Sequence, residues 1–412
     1  MSDPHDTCDI AIIGSGLVGA SLACALEGSG QRVVSIEAVA ADAGSGGRDP
    51  ARSGFDERNL ALAETSLNAL DALGVLAHLR APLAPIRHIH VSRVGDFGAV
   101  RLAAEEHGRT RFGAVVVARE LGAALEARLA MLSGLRRLCP ARLVEGQAQA
   151  DGWRLRLACP DGERILFARC LIGADGAASQ TRRLLAIPDQ RHDYQQTLLV
   201  AAVAGERRAD GHAWERFDRY GPIALLPRPD GLFGAVMGVA REQAEAVSAL
   251  SDDAWLDLLQ QRFGWRAGRF LRVGRRAAYP MVRVLAERIA GHRAVLMGNA
   301  AQTLHPIGAQ GFNLGLRDAL TYAERLVAAG PDGDPGEASL IGEYVRARHE
   351  DRERTVAFSD GLARLTSNET RLAAGLRSLG LLALQHLPGL RAPLAVAAMG
   401  YRGRTPRLAR SR

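Results

Sequence analysis

Three glycine-rich segments carry the residues whose types and spacing could do chemistry. The first, Gly14-Ser15-Gly16-Leu17-Val18-Gly19, has the spacing G-x-G-x-x-G and follows the apolar run Cys8 to Ile13. Gly14 permits a tight turn after a strand, Gly16 lets the backbone approach a pyrophosphate, and Gly19 permits close packing of helix on strand. The helix that starts there offers free N–H groups and partial positive charge to phosphates. A small-residue helix from Ala20 to Leu26 and a strand from Arg32 to Ile36 come next, closed by Glu37. A carboxylate at that point can accept from ribose hydroxyls. Strand, turn, helix, strand and acid in this order imply dinucleotide binding. They do not by themselves separate FAD from NAD.

The second segment, Gly173-Ala174-Asp175-Gly176, follows a buried strand from Cys170 and reads as a tight turn with its Asp facing the cofactor, Arg182 and Arg183 lying just beyond. Alone, Asp-Gly signals only a turn. The third runs from Gly298-Asn299-Ala300-Ala301 through His305-Pro306-Ile307-Gly308-Ala309-Gln310-Gly311 to Phe312-Asn313-Leu314-Gly315. Glycines flank a proline and a helix begins, so closely spaced N–H groups can hold the oxygens of a ribityl chain, pyrophosphate or pyrimidine.

The elements that must position these segments follow from periodicity. The N-terminal βαβ unit is followed by a Gly/Ala/Ser/Asp-rich loop from Ala41 to Gly54. Leu60 to Leu79 has helical spacing, as does Val115 to Leu132. His88 to Val94 and Ala99 to Ala103 read as a strand pair, and Leu143 to Ala168 as an antiparallel meander. Thr197 to Val203, Ile223 to Pro227 and Leu232 to Val239 predict a second sheet, Ala294 to Met297 another buried strand, and everything beyond Ala338 a helical region. The fold class expected is α/β. A discontinuous FAD-binding Rossmann-like domain would comprise residues 1–85, 112–185 and 272–345. An antiparallel substrate domain would comprise 86–111 and 186–271, with a helical region and basic tail at 346–412.

Composition narrows the function classes. The 412 residues are 47% hydrophobic and 24% charged, and the 52 cationic side chains are all Arg, giving a net charge of +7. No nucleic-acid-binding signature accompanies that charge, so nucleic acid is not expected as a partner. The five cysteines are scattered without Cys-x-x-Cys spacing, so neither a metal site nor a disulfide framework is expected. No stretch approaches the roughly 20 apolar residues of a membrane span. A cytoplasmic location is expected, with possible attachment at the inner face of the cytoplasmic membrane. The Arg-rich tail from Tyr401 to Arg412 reads as disordered and available to an anionic surface.

Taken in order, the three segments resemble the class A FAD-dependent aromatic hydroxylases, the family of para-hydroxybenzoate hydroxylase, and within it the methoxyphenol hydroxylases of the ubiquinone-biosynthesis branch. Supporting matches are Asp56-Glu57-Arg58, Ala213-Trp214-Glu215-Arg216-Phe217 and Gly221-Pro222-Ile223-Ala224-Leu225-Leu226-Pro227, with Ser359-Asp360-Gly361-Leu362 and Ala398-Met399-Gly400 near the C-terminus. There are two departures. Asn299 stands where most of the wider family has Asp, although Gly-Asn is typical of this branch, and Gly308-Ala309 replaces the branch's usual Ala-Gly.

The resemblance implies roles. Gly14, Gly16 and Gly19 would cradle the pyrophosphate and Glu37 the adenosine ribose. Arg58 would lie near the phosphates or flavin, and Arg119 would open a cofactor-contacting helix. Asp175 would touch FAD and a transient nicotinamide. Gly298, Asn299 and Asn313 would hold the ribityl region, and Pro306, Gly308, Gln310 and Gly311 would shape the flavin face. His305 would orient its loop, with phenol base as its other possible role. Leu225, Leu226 and Pro227 would line the substrate face, and Leu372 to Ala398 could form a greasy mouth for a polyprenyl tail.

Hydroxylation needs an electrophilic oxygen that no side chain supplies. The resemblance implies that NAD(P)H reduces FAD, that O₂ adds as a flavin C4a-hydroperoxide, and that oxygen passes to a prenylated phenol in ubiquinone biosynthesis. Partners implied are that phenol, O₂ and a biosynthetic complex. A flavin halogenase would carry Trp-x-Trp-x-Ile-Pro, which is missing here. A sister hydroxylase acting at another ring carbon and a non-catalytic quinone-binding flavoprotein stay open.

Overall fold

The computed structural model describes residues 6–39, 58–305, 310–367, 371–401 and 403–410. At its centre lies a parallel sheet. Thr7–Ile13 is flanked by Val33–Ile36 and by the end of the long strand Gly162–Gly173. Leu135–Leu138 and Ala294–Leu296 extend it on either side. Six of the seven residues of Thr7–Ile13 are buried, as a strand covered on both faces requires. Helix Leu17–Ala25 packs against Gln310–Ala328, and residues 19–25 are all buried.

A nine-stranded sheet stands beside it, antiparallel except where His88–Arg93 pairs with His212–Asp218. Its strands alternate as a two-faced sheet must. Leu199, Ala201 and Val203 pack with helix Asp252–Phe263 in one core, whereas Leu198 and Val200 face a large cavity on the other side. The fold is thus α/β with a Rossmann-like unit built from distant segments and an antiparallel sheet that roofs the space between them.

Three expectations are corrected. Leu60 to Leu79 is not one helix: Asn59–Ala63 is a strand, followed by helix Glu64–Ala72. Val115 likewise belongs to strand Gly113–Val117, and the helix starts at Ala118. These two strands pair in a separate three-stranded sheet. Four or five apolar residues fit either period, and pairing between segments more than 50 positions apart decides. The tail is not disordered over its described part. Arg404 pairs with Glu324 at 3.0 Å, the Arg407 backbone N–H donates to the same carboxylate, and Ala409 is buried. The loop expected at 41–54 lies outside the described residues.

Candidate active site

The glycine fingerprint divides its work unequally. Gly14 has φ of +95°, and a Cβ there would lie 2.6 Å from the Ala174 carbonyl oxygen. A Cβ on Gly19 would lie 1.9 Å from the Gly14 oxygen. Both glycines are demanded by the fold. Gly16 differs: its backbone is extended at φ −65° and ψ −173°, and a Cβ would meet nothing within 4 Å. A side chain is tolerable there for the protein and would project into the cavity, as expected if a ligand's phosphates take that space. Glu37 accepts from the Ser15 N–H at 2.7 Å and the Val39 N–H at 3.1 Å, so it fixes the turn as well as facing the cavity. Its oxygens keep lone pairs for ribose hydroxyls.

Asp175 also lines the cavity, but its carboxylate closes the turn around it. It accepts from Ser179 Oγ at 2.5 Å and from the Thr181 N–H and Oγ1 at 2.9 and 3.0 Å. Arg182, buried, then ties this turn to the next. It donates to the carbonyls of Ala177 and Ala300, each at 2.8 Å, and pairs with Asp189. The sequence gives Arg182 no such role, because the Ala300 carbonyl it holds is more than 100 positions away.

Gly298, at φ +58°, opens the third turn. Its N–H donates to Asp318, which also accepts from Gln302 and from Arg348 at 2.7 Å each. Arg348 and Arg317 share Asp351. Burial alone would raise the Asp351 carboxyl, yet the two guanidinium groups hold it below the usual carboxylate range. Gly315, where a Cβ would stand 2.7 Å from Val18 Cγ2 and 3.0 Å from Gly298 Cα, lets the third turn close on the first. Asn299 is exposed to the cavity, and Gly311 leaves open space. Asn313 lies at the cavity edge, but its amide pins strand to helix. Oδ1 accepts from Ala63 N–H and Ser66 Oγ, and Nδ2 donates to the Ala61 carbonyl.

The remaining expected residues are distributed as follows. Gln310 lines the cavity, and Arg58 does so with its guanidinium 4.9 Å from the Tyr279 ring centre. Arg119 does not join them; it points outward and meets Glu120. Pro306 and Gly308 lie outside the described residues. His305 is buried off the cavity wall, its ring edge-on to Tyr194 at 4.8 Å, and burial pushes its pKa down to about 4. Residues that sequence reading missed include Arg142 and Arg183 at the polar end, and Glu215 and Tyr279 on the sheet wall. For Arg142 and Glu215, a lone charge on a strand gives no signal of where it faces.

Together these groups bound a cavity of about 1010 Å³. One end is formed by the three turns. The other passes beneath Leu198, Val200, Ala224 and Leu226 to Leu381, Leu384 and Leu394 of the C-terminal helices. The polar end fits FAD: free backbone donors at a helix N-terminus, an open Gly16 and a carboxylate at the ribose position.

Residues 7–359 match the FAD-binding domain family. The chain is 35% identical over 398 residues to ubiquinone hydroxylase UbiL of Rhodospirillum rubrum, covering 95% of this chain and 89% of that protein. It is 28% identical over 393 residues to ubiquinone hydroxylase UbiM of Neisseria meningitidis, covering 93% and 82%. In fold it is similar to p-nitrophenol 4-monooxygenase PnpA of Pseudomonas putida, with a TM-score of 0.79 and 18% identity over 97% and 99% of the two chains. The chain belongs to the FAD-dependent aromatic hydroxylases of the FAD-binding domain family. FAD is its cofactor, and NAD(P)H is the co-substrate typical of that family.

Proposed function

We propose that the protein hydroxylates the aromatic ring of a polyprenylated (methoxy)phenol in ubiquinone biosynthesis. One oxygen atom of O₂ enters the ring, the other leaves as water, and NAD(P)H supplies the two electrons. The observation that carries this reading is the two-ended cavity, polar where the three turns meet and apolar from the nine-stranded sheet to the C-terminal helices. A phenol with a long hydrocarbon tail matches both ends. The names of the two ubiquinone hydroxylase relatives support the same substrate class.

Bound FAD supplies the redox chemistry and the electrophilic oxygen. The chain's own residues bind, exclude water and handle the phenol's proton. Gly14, Gly16 and the N-terminus of Leu17–Ala25 would hold the pyrophosphate, Glu37 the adenosine ribose and Asn299 the ribityl chain. Leu198, Val200 and Ala224 keep water from the reacting ring. An electron-rich phenolate reacts more readily than a phenol, so a proton acceptor is needed. His305 stands off the wall. Among described residues, Glu215 is the only carboxylate on the sheet side of the cavity, and we assign it the phenol O–H.

The test is FAD-loaded protein with NAD(P)H, O₂ and prenylated phenols, followed by mass spectrometry of the product. Substrate-dependent NAD(P)H oxidation with gain of one oxygen atom is expected. Flavin binding with no such turnover on any prenylated phenol would overturn the reading.

A further inference from the structure

The C-terminal helices Arg371–His386 and Pro388–Ala398 are built inside out. Surface helices normally turn polar residues to water. Here, among the described side chains of residues 374–398, every polar one except His386 is held inward. Arg377 is buried and pairs with Asp96 at 2.8 Å. Ser378 Oγ accepts from the Phe97 N–H, Gln385 accepts from the Arg101 N–H, and Arg391 pairs with Glu106. What faces out is apolar: Leu376, Leu379, Leu387, Leu390 and Val396 are 42–63% exposed, and the adjoining Phe97 is 70% exposed. Among described side chains of residues 374–398, His386 is the only exposed one that is polar. Exposed apolar side chains in this number on two packed helices are what a docking surface presents.

The inner side of the same helices forms cavity wall, through Leu381, Leu384, Leu394, Ala397 and Ala398. The pair is therefore a thin apolar partition between cavity and exterior. No helix of the described residues is long and apolar enough to cross a membrane. From these observations we infer that the two helices lie flat on a lipid bilayer with the leucine face in the acyl boundary, and that the tail of a membrane-dissolved substrate enters the cavity past this partition. The identity of the tail rests on the proposed function; the docking does not. Attachment of this kind draws on buried apolar area and on attraction of cations to anionic lipid; the exposed described side chains of residues 374–398 include no Arg, so apolar area carries it here. The described part of the Arg-rich tail is packed on Glu324 and is not needed for it.

The test uses full-length, flavin-loaded protein co-sedimented with vesicles of phosphatidylcholine alone, or with added phosphatidylglycerol, at low and high salt. Binding to the neutral vesicles is expected, persisting at high salt. It should weaken at least tenfold in the Leu379→Ser/Leu387→Ser/Leu390→Ser variant, with flavin content and turnover of a tailless phenol unchanged. No binding by the wild type, binding that needs anionic lipid and disappears with salt, or equal binding by the variant would each overturn the docking. So would a wild-type dimer that the variant turns into a monomer, since a second copy would then cover the face. Vesicle binding without turnover of any prenylated phenol would instead sink the proposed function and leave the docking standing.

Discussion

The two ends of the cavity are built on opposite plans. At the cofactor end almost every polar side chain is already bound to the protein: Glu37 to Ser15, Asp175 to Ser179 and Thr181, and Asn313 to Ala61, Ala63 and Ser66. These side chains fix the turns, and the backbone and the gaps between glycines receive the ligand. At the substrate end the wall is apolar, and few polar groups face inward. The first plan gives a rigid cradle for one invariant molecule. The second gives a surface that selects by shape and hydrophobicity, with orientation left to one or two groups such as Glu215.

Substitutions can break this contrast. The largest effect is expected at Gly16. Gly16→Leu should keep the fold, since its backbone is extended and the space around it empty, yet lose FAD altogether. Flavin absorbance together with circular dichroism checks it; a yellow, folded variant would refute the cradle. Asp318→Ala should cost about 3–5 kcal/mol in denaturant unfolding, because Arg348 would remain buried with one partner fewer. Loss of stability without weaker flavin binding would separate the buried ion network from the turn it supports. Glu215→Gln should lower the hydroxylation rate on the order of 100-fold while flavin reduction and content stay normal. An unchanged rate, or an equal loss of flavin, would remove Glu215 from proton transfer.

The effect that is smallest near neutral pH compares two buried histidines that stand off the cavity wall. His305, beside the third turn, and His90, on the far face of the sheet, both have pKa values of about 4, chiefly from burial. Arg101 and neighbouring cations add to the effect at His90. In the unfolded chain each takes a proton near its ordinary value of about 6.5. The unfolded state therefore binds more protons between pH 6.5 and 4. Stability should be flat above that window and fall as pH drops through it, by roughly 3 kcal/mol per ring. Replacing both rings with Asn should flatten the pH dependence of the unfolding midpoint, and an unchanged slope would show that carboxylates dominate it.

Much of this was legible from the chain alone, for physical reasons. The apolar runs Thr197 to Val203, Ile223 to Pro227 and Leu232 to Val239 announced a second sheet, though not that one face would meet a core and the other a cavity. The spacing of Gly14, Gly16 and Gly19 announced a phosphate-binding turn, because a turn and a close approach demand glycine locally. What stayed hidden depended on distant partners. Leu60 to Ala63 becomes a strand only because Gly113–Val117 lies beside it. Arg182 acts through Ala300, and Asn313 through Ala63. The apolar content of Leu372 to Ala398 was visible, but not that Arg377 and Arg391 would be drawn inward by Asp96 and Glu106.

The order of strands in the parallel sheet has a consequence for biogenesis. Thr7–Ile13 is synthesised first, yet its neighbour Gly162–Gly173 and the outer Ala294–Leu296 emerge from the ribosome far later. The helix that closes the flavin cradle, Gln310–Ala328, follows after that. Contacts at such separation form slowly, and the growing chain must carry one edge of its buried strand unpaired in the meantime, since only Val33–Ile36 is available early. Flavin capture is then a late event of synthesis. In a flavin-starved cell the finished chain would wait with its cradle empty, exposed to proteolysis until the cofactor arrives.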